Sequence, residues 1–247
     1  MSALRHVIAR LGPAGSGTRE QGDVAAAPTR GEPVLLLHGF FSTPRSLGAL
    51  EARLRRAGCI IIPVDLGGFA GRNTRAIDRL AERVAAQVER WREAHPGSPR
   101  ITVIAHSMGG LVAAHWVKHL GGHLRVRTLV TLGTPFRGSR LAWTGLPIAA
   151  LAPAVLQMIP GSPFLRRLAS ASWPGHVRVV SLYSRHDAWV PYPSAQLDPS
   201  AGPHLVNLEV DGTHRDFLLS KRIFGILLSE FRRPALAAVR AGEIIAA

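Results

Sequence analysis

The stretch Ile101-Thr-Val-Ile-Ala-His-Ser107-Met-Gly-Gly110-Leu-Val-Ala-Ala114 decides how the rest of the chain is read. Apolar and β-branched residues on consecutive positions are what a strand covered on both faces requires. The run leads directly into a serine, then two glycines, then an apolar helical pattern. A serine placed this way sits on a turn so sharp that its flanking side chains must be small, as Ala105 and Gly109 are. The turn lifts the hydroxyl clear of the sheet and faces it to a helix N-terminus, whose free N–H groups and partial positive charge suit an oxyanion. In the strict form of this pentapeptide the first residue is Gly; here it is Ala105. A plain strand–turn–helix with Ser107 as a capping residue reads the same way locally. The decision therefore rests on what surrounds it.

Working outward, short apolar runs recur at Val34–Leu37, Ile60–Val64, Thr128–Leu132, Val177–Leu182 and Leu205–Val210, with helical patterns between the early ones. In Ala76–Ala94 the residues Ile77, Leu80, Ala81, Val84, Ala85, Val88 and Trp91 share a stripe opposite Arg79, Glu82, Arg83, Glu89 and Arg90. Leu47, Leu50, Leu54 and Ala57 repeat this more briefly, and a terminal helix is predicted through Phe217, Leu218, Ile223, Phe224, Leu227 and Phe231. Strand and helix in series predict an α/β fold, a mainly parallel six-stranded sheet with right-handed crossovers and flanking helices. Residues 1–32 read as a flexible lead-in and 33–247 as one domain. Residues 136–176 interrupt the alternation with an apolar, proline-rich insert. Its length favours a short cap of one or two helices over one end of the sheet, with plain core as the other reading.

The 247 residues are 47 % hydrophobic, which excludes a disordered or collagen-like chain. A single cysteine, Cys59, excludes an intramolecular disulfide and a thiolate-built zinc site, and it reads as a small buried residue. The N-terminal apolar run is broken by Arg5 and Arg10, and no stretch reaches the roughly 18 apolar residues of a membrane span. The expectation is a cytoplasmic protein. Its formal charge of +14 invites a nucleic-acid reading. Against that, the arginines are scattered and interleaved with Glu, and no helix-turn-helix, zinc finger or aromatic platform is present. All but two of the 30 basic residues are arginines, the exceptions being Lys118 and Lys221. No nucleic-acid partner is expected; peripheral contact with an anionic membrane surface fits the charge better.

A nucleophilic serine needs a base, and the base an orienting carboxylate. Of 11 histidines, His214 immediately follows the last predicted strand, at the sheet end where Ser107 should emerge. His204 precedes that strand and belongs at the opposite end. Among the aspartates, Asp187 follows the fifth strand at the same edge, whereas Asp211 is too close in sequence to His214 and Asp65 lies some distance off. The strand Pro33–Leu37 ends in His38-Gly39-Phe40, a turn that can supply one oxyanion donor while the residue after the serine supplies the other. Those donors are the backbone N–H groups of Phe40 and Met108. Phe41, Leu146, Met158 and Trp189 are candidates to line an acyl pocket. Thr134-Pro135 either borders its mouth or is a simple turn, and His106 and His186 read as structural neighbours. No metal or organic cofactor is called for.

The segments LLLHGF, AHSMGG, TLGTPFRGS (Thr131–Ser139), YSRHDAWVP and DGTH resemble those of bacterial triacylglycerol lipases and esterases of the α/β-hydrolase superfamily. The resemblance runs from Pro33 to about Phe231, and the order Ser107, Asp187, His214 is the one that superfamily uses. It implies Ser107 as nucleophile, His214 as base, Asp187 as its orienting acid, and a small-molecule ester or lipid as substrate. A catalytically silent scaffold serving as a binding module, or an acyltransferase or amidase on the same fold, is the alternative.

Overall fold

Six apolar runs pair into one sheet in the order β2-β1-β3-β4-β5-β6, with every neighbour parallel. The strands are β1 (Pro33–Leu37), β2 (Ile60–Ile62), β3 (Ile101–His106), β4 (Val126–Leu132), β5 (Arg178–Tyr183) and β6 (Leu205–Glu209). They fall at the six expected positions, in a sheet that is wholly rather than mainly parallel. The computed structural model describes residues 31–67 and 73–231. Most of the expected lead-in, residues 1–30, lies outside these. Its last residue, Glu32, is part of the folded body: the carboxylate accepts from the Thr102 hydroxyl at 2.6 Å and pairs with Arg127.

Burial on both faces explains the consecutive apolar runs. Leu35, Leu37, Val103, Leu129 and Val179 face one helical layer, formed by α2 (Ile77–Ala94) and α3 (Met108–His119). The alternate residues Val34, Leu36, Ile104, Val130 and Val180 face the other, where α1 (Gly48–Arg56) packs with α7 (Asp216–Leu219) and α8 (Lys221–Phe231). The two sets interleave with the strand period of two. In α2 the predicted stripe is what buries: Ile77, Leu80, Ala81, Val84 and Val88 are all enclosed.

The terminal helix differs from the expectation. It breaks at Ser220, whose backbone is extended (φ −68°, ψ 127°). The Ser220 hydroxyl then accepts the Ile223 N–H at 3.3 Å, so one serine ends α7 and caps α8.

The insert also divides. It forms a 3-10 segment over Arg140–Ile148, then α4 (Ala154–Met158) and α5 (Pro163–Ser170). The inner half is core: Ala154, Met158, Phe164, Leu165 and Leu168 join the cluster that contains α2 and α3. The outer half leaves Leu141, Trp143, Leu146, Ile148 and Leu151 exposed. The core reading therefore holds for the inner part of the insert, and the outer part is exposed. The short α6 (Tyr192–Ala195) follows β5.

Candidate active site

β3 ends at His106 and α3 begins at Met108, so Ser107 alone makes the turn. Its backbone stands at φ 54°, ψ −127°, a conformation that costs a non-glycine residue about 1–3 kcal/mol and persists only where its surroundings impose it. Those surroundings are specific. The Ser107 N–H donates to the Leu132 carbonyl at 2.9 Å, and the Ser107 carbonyl accepts from the Thr134 hydroxyl at 3.0 Å and the Gly110 N–H at 2.9 Å. Thr134 is fully buried and therefore bolts the serine turn to the end of β4. The glycines are required by close approach: a Cβ on Gly109 would lie 2.6 Å from the Leu37 carbonyl oxygen, and one on Gly110 would lie 1.9 Å from the Thr134 hydroxyl.

At the same end of the sheet, His214 Nδ1 lies 2.7 Å from Asp187 Oδ2, with both side chains nearly enclosed. The other Asp187 oxygen accepts the N–H groups of Trp189 at 2.8 Å and Val190 at 3.0 Å. Ionised Asp187 only accepts, so His214 carries its proton on Nδ1 and leaves Nε2 with a lone pair. Gly133, just past β4, backs onto this pair; a Cβ there would meet Asp187 Oδ2 at 2.9 Å and His214 Nδ1 at 3.2 Å. The rivals fall elsewhere. Asp211 bonds the exposed His186 at 2.9 Å, and the carbonyl of His204 accepts from Val179 where β5 begins, at the opposite end of the sheet.

His106 connects the two halves of the site. Its Nε2 lies 3.1 Å from the His214 carbonyl, and the two rings sit 4.5 Å apart. Burial, with the His214 charge adding to it, pushes the His106 pKa down to about 3. The ring is therefore neutral and donates Nε2–H to that carbonyl.

The loop after β1 runs alongside the serine: a Cβ on Gly39 would lie 3.0 Å from the Ser107 Cβ. Phe40 comes next, and across the gap the Met108 N–H opens α3, where no carbonyl of its own helix can reach it. A residue the sequence reading missed controls this loop. Asn73, fully buried, donates from Nδ2 to the carbonyls of His38 at 3.3 Å and Gly39 at 3.4 Å. Its backbone also accepts from the Phe41 N–H at 2.9 Å and donates to the Ser42 carbonyl at 3.0 Å. The Gly39 carbonyl and the Phe40 N–H belong to one planar trans peptide and point in opposite directions. Anchoring the oxygen therefore aims the N–H. No sequence motif marks Asn73, because its partners are carbonyls that every residue carries.

Of the expected lining residues, Trp189 stacks at 6.0 Å and 19° from the His214 ring and is 63 % exposed. Phe41, also exposed, has φ 51° and lies 6.0 Å from the Phe40 ring. Leu146 is exposed on the 3-10 segment, whereas Met158 fills core space beside Ala154 and Phe164. The Ser139 hydroxyl ties the insert to this rim by donating to the Trp189 carbonyl at 2.7 Å. A separate cavity of about 250 Å³, lined by Lys118, Phe136, Leu168, Trp173 and Leu205 among others, lies at the far end of α3 from Ser107.

A parallel sheet in this order, with a strained serine between strand and helix and an Asp–His pair after later strands, is the α/β-hydrolase fold. The chain belongs to the family described as serine aminopeptidase, S33, whose model matches residues 29–197 and so includes Ser107 and Asp187 but stops short of His214. A search of curated proteins gave no match. Among solved structures, the mature lipase BlEst2 of Bacillus licheniformis is 14 % identical with a TM-score of 0.63, covering 85 % of this chain and 95 % of that one. Aspergillus fumigatus lipase B is 18 % identical with a TM-score of 0.63; 83 % of this chain aligns, over only 53 % of the fungal chain. A thermostable carboxyl esterase from Bacillus coagulans is 13 % identical with a TM-score of 0.58, covering 83 % and 91 %. Among the described residues no helix is long and apolar enough to cross a membrane.

Proposed function

We propose that the protein is a serine hydrolase that cleaves carboxylic esters with lipophilic acyl groups. The observation that carries this reading is the strained Ser107 turn at the same sheet end as the 2.7 Å His214–Asp187 pair. His214 Nε2 takes the Ser107 proton as the hydroxyl oxygen bonds to the ester carbonyl carbon. The Phe40 and Met108 N–H groups hold the resulting oxyanion. Collapse of the tetrahedral intermediate breaks the ester C–O bond, and His214 returns the proton to the leaving alcohol. Water then repeats the sequence on the acyl-enzyme and releases the acid. Asp187 stays ionised and stabilises the imidazolium. Phe41, Leu146 and Trp189 offer apolar surface to the acyl chain.

The family description names an aminopeptidase, which makes an amide substrate the second reading. An aminopeptidase needs a carboxylate for the substrate's α-ammonium. Among the described carboxylates around this site, Asp187 is held by His214, Asp211 by His186, Glu209 by Arg185, Asp216 by Thr213 and Asp65 by Arg83. The ester reading is favoured for that reason.

A fluorophosphonate probe and a p-nitrophenyl ester series from acetate to octanoate and beyond test the proposal. Wild type should be labelled and should prefer the longer chains; Ser107→Ala should not be labelled and should lose kcat/KM by about 10⁴-fold or more. Absence of labelling in wild type would leave a silent scaffold. Labelling with turnover of aminoacyl anilides but not esters would establish the peptidase reading, and preference for acetate would remove the lipophilic acyl group.

A further inference from the structure

The outer half of the insert puts a set of large apolar side chains into solvent: Leu141, Trp143, Leu146, Ile148, Leu151 and, on α4, Leu156. The Ser139 hydroxyl, which caps the 3-10 segment and donates to the Trp189 carbonyl, ties this segment to the loop beside His214. An exposed apolar group of this extent within sixteen consecutive residues, 141–156, marks an interaction surface rather than scattered surface residues.

Charge says what kind. From Ala94 to His186 the chain contains no Asp or Glu, although Asp and Glu total 16 over the whole sequence. The same stretch carries Arg137, Arg140, Arg166 and Arg167, all exposed on or beside the insert. Arg75 borders it from the other side, next to Thr74, whose carbonyl accepts the first α4 N–H, that of Ala154, at 3.4 Å. From α2, Asp78 reaches the insert, where it accepts from the Gln157 amide at 3.1 Å, and the arginines outnumber this negative charge. Asp187 is buried behind His214.

We propose that this face docks the protein on an anionic lipid surface, with the apolar side chains of 141–156 entering the headgroup layer and the surrounding arginines pairing with lipid phosphates. A second copy of the chain is a poor occupant, since a symmetric contact would set arginine rim against arginine rim. The chain's own residues 1–30 are poor occupants too, carrying Arg5, Arg10, Arg19 and Arg30 against Glu20 and Asp23. Apolar area plus basic side chains is the combination that holds a protein at an anionic interface. The proposal does not rest on ester hydrolysis.

The test is partitioning onto vesicles of phosphatidylcholine alone and of phosphatidylcholine with an equal part of phosphatidylglycerol, using full-length Ser107→Ala protein so that no lipid is consumed. Binding should require phosphatidylglycerol and should weaken as salt is raised. The pair Arg140→Glu and Arg167→Glu should each weaken it by about fivefold or more. Trp143→Asp with Leu151→Asp should reduce it to the level seen with neutral vesicles. Both replacements are at exposed positions and should leave the circular dichroism spectrum and the urea midpoint unchanged, which separates lost docking from lost folding. Absence of binding to anionic vesicles, equal binding to both vesicle types, or full binding by the Trp143/Leu151 variant would each overturn the proposal. So would a dimer in sedimentation velocity that the same variant dissolves.

Discussion

Ser107 and Asn73 act on the same few ångströms from opposite sides. The strain at Ser107 is held by bonds to Leu132, Thr134 and Gly110, while Asn73 holds the peptide that carries the Phe40 N–H. The placement of Ser107, Asp187 and His214 at one end of the sheet was legible in the sequence because each follows a strand that its apolar run marks. Thr134 and Asn73 were not, because what they grip is backbone. Replacing Asn73 by Ala removes the amide donor from the Gly39 carbonyl, leaving it only the His38 ring at 3.2 Å, and so loosens the direction of the Phe40 N–H. Loss of one oxyanion donor costs about 10²–10³ in kcat, and a donor left in place but badly aimed should cost somewhat less, about 10- to 100-fold. The KM for a short ester should hardly change. Asn73→Asp should be worse than Asn73→Ala, since it sets a carboxylate against two carbonyl oxygens. Steady-state kinetics decide the matter: a raised KM with unchanged kcat would mean that Asn73 only shapes the mouth of the site.

At the scale of elements, strands and long helices were readable because burial imposes a period, two on the sheet and 3.6 on α2. The insert defeated that reading for a physical reason. Its two halves have the same apolar composition, and what separates them is whether α3 lies beneath. Phe164 and Leu168, on α5, meet that helix at His115 and Lys118, whereas Leu141 and Leu146, on a 3-10 segment, are exposed. Lys118 on α3 is the pin. Its ammonium donates to the carbonyls of Leu168 at 2.8 Å and Ala171 at 2.7 Å, where α5 ends, and lies 4.3 Å from the centre of the Trp173 ring. Those carbonyls have no helical partner of their own. Lys118→Met keeps the apolar stem but leaves them without a donor, which should cost about 2 kcal/mol. The loss should appear as a lower urea midpoint with an unchanged slope. An unaltered midpoint would mean that solvent already serves the end of α5.

Across the whole molecule, burial couples stability to acid. His38, His106 and His204 are each shifted below the ordinary histidine value of 6.5, in every case chiefly because burial penalises the charged ring. In the unfolded chain these rings protonate near 6.5, whereas in the folded protein they resist, His106 down to about 3. Between those values the unfolded state binds more protons, so stability rises with pH through this window and falls as the medium is acidified. The carboxylates act later: Asp78, Asp198 and Asp216 are held below 3.8 by hydrogen bonds, and the stability they add is lost only as pH falls toward those lowered values. A chain already at +14 gains further self-repulsion over the same range. The urea midpoint should therefore drop steeply on going from pH 7 to 4.5, before the carboxylates titrate. His106→Gln, which cannot take up a proton, should flatten part of that slope and unfold at a lower pH than wild type relative to its own midpoint at pH 7. A midpoint unchanged between pH 7 and 5 would show that these rings admit protons without unfolding. The neutral His106 donor to the His214 carbonyl would then not be what holds the two histidines together.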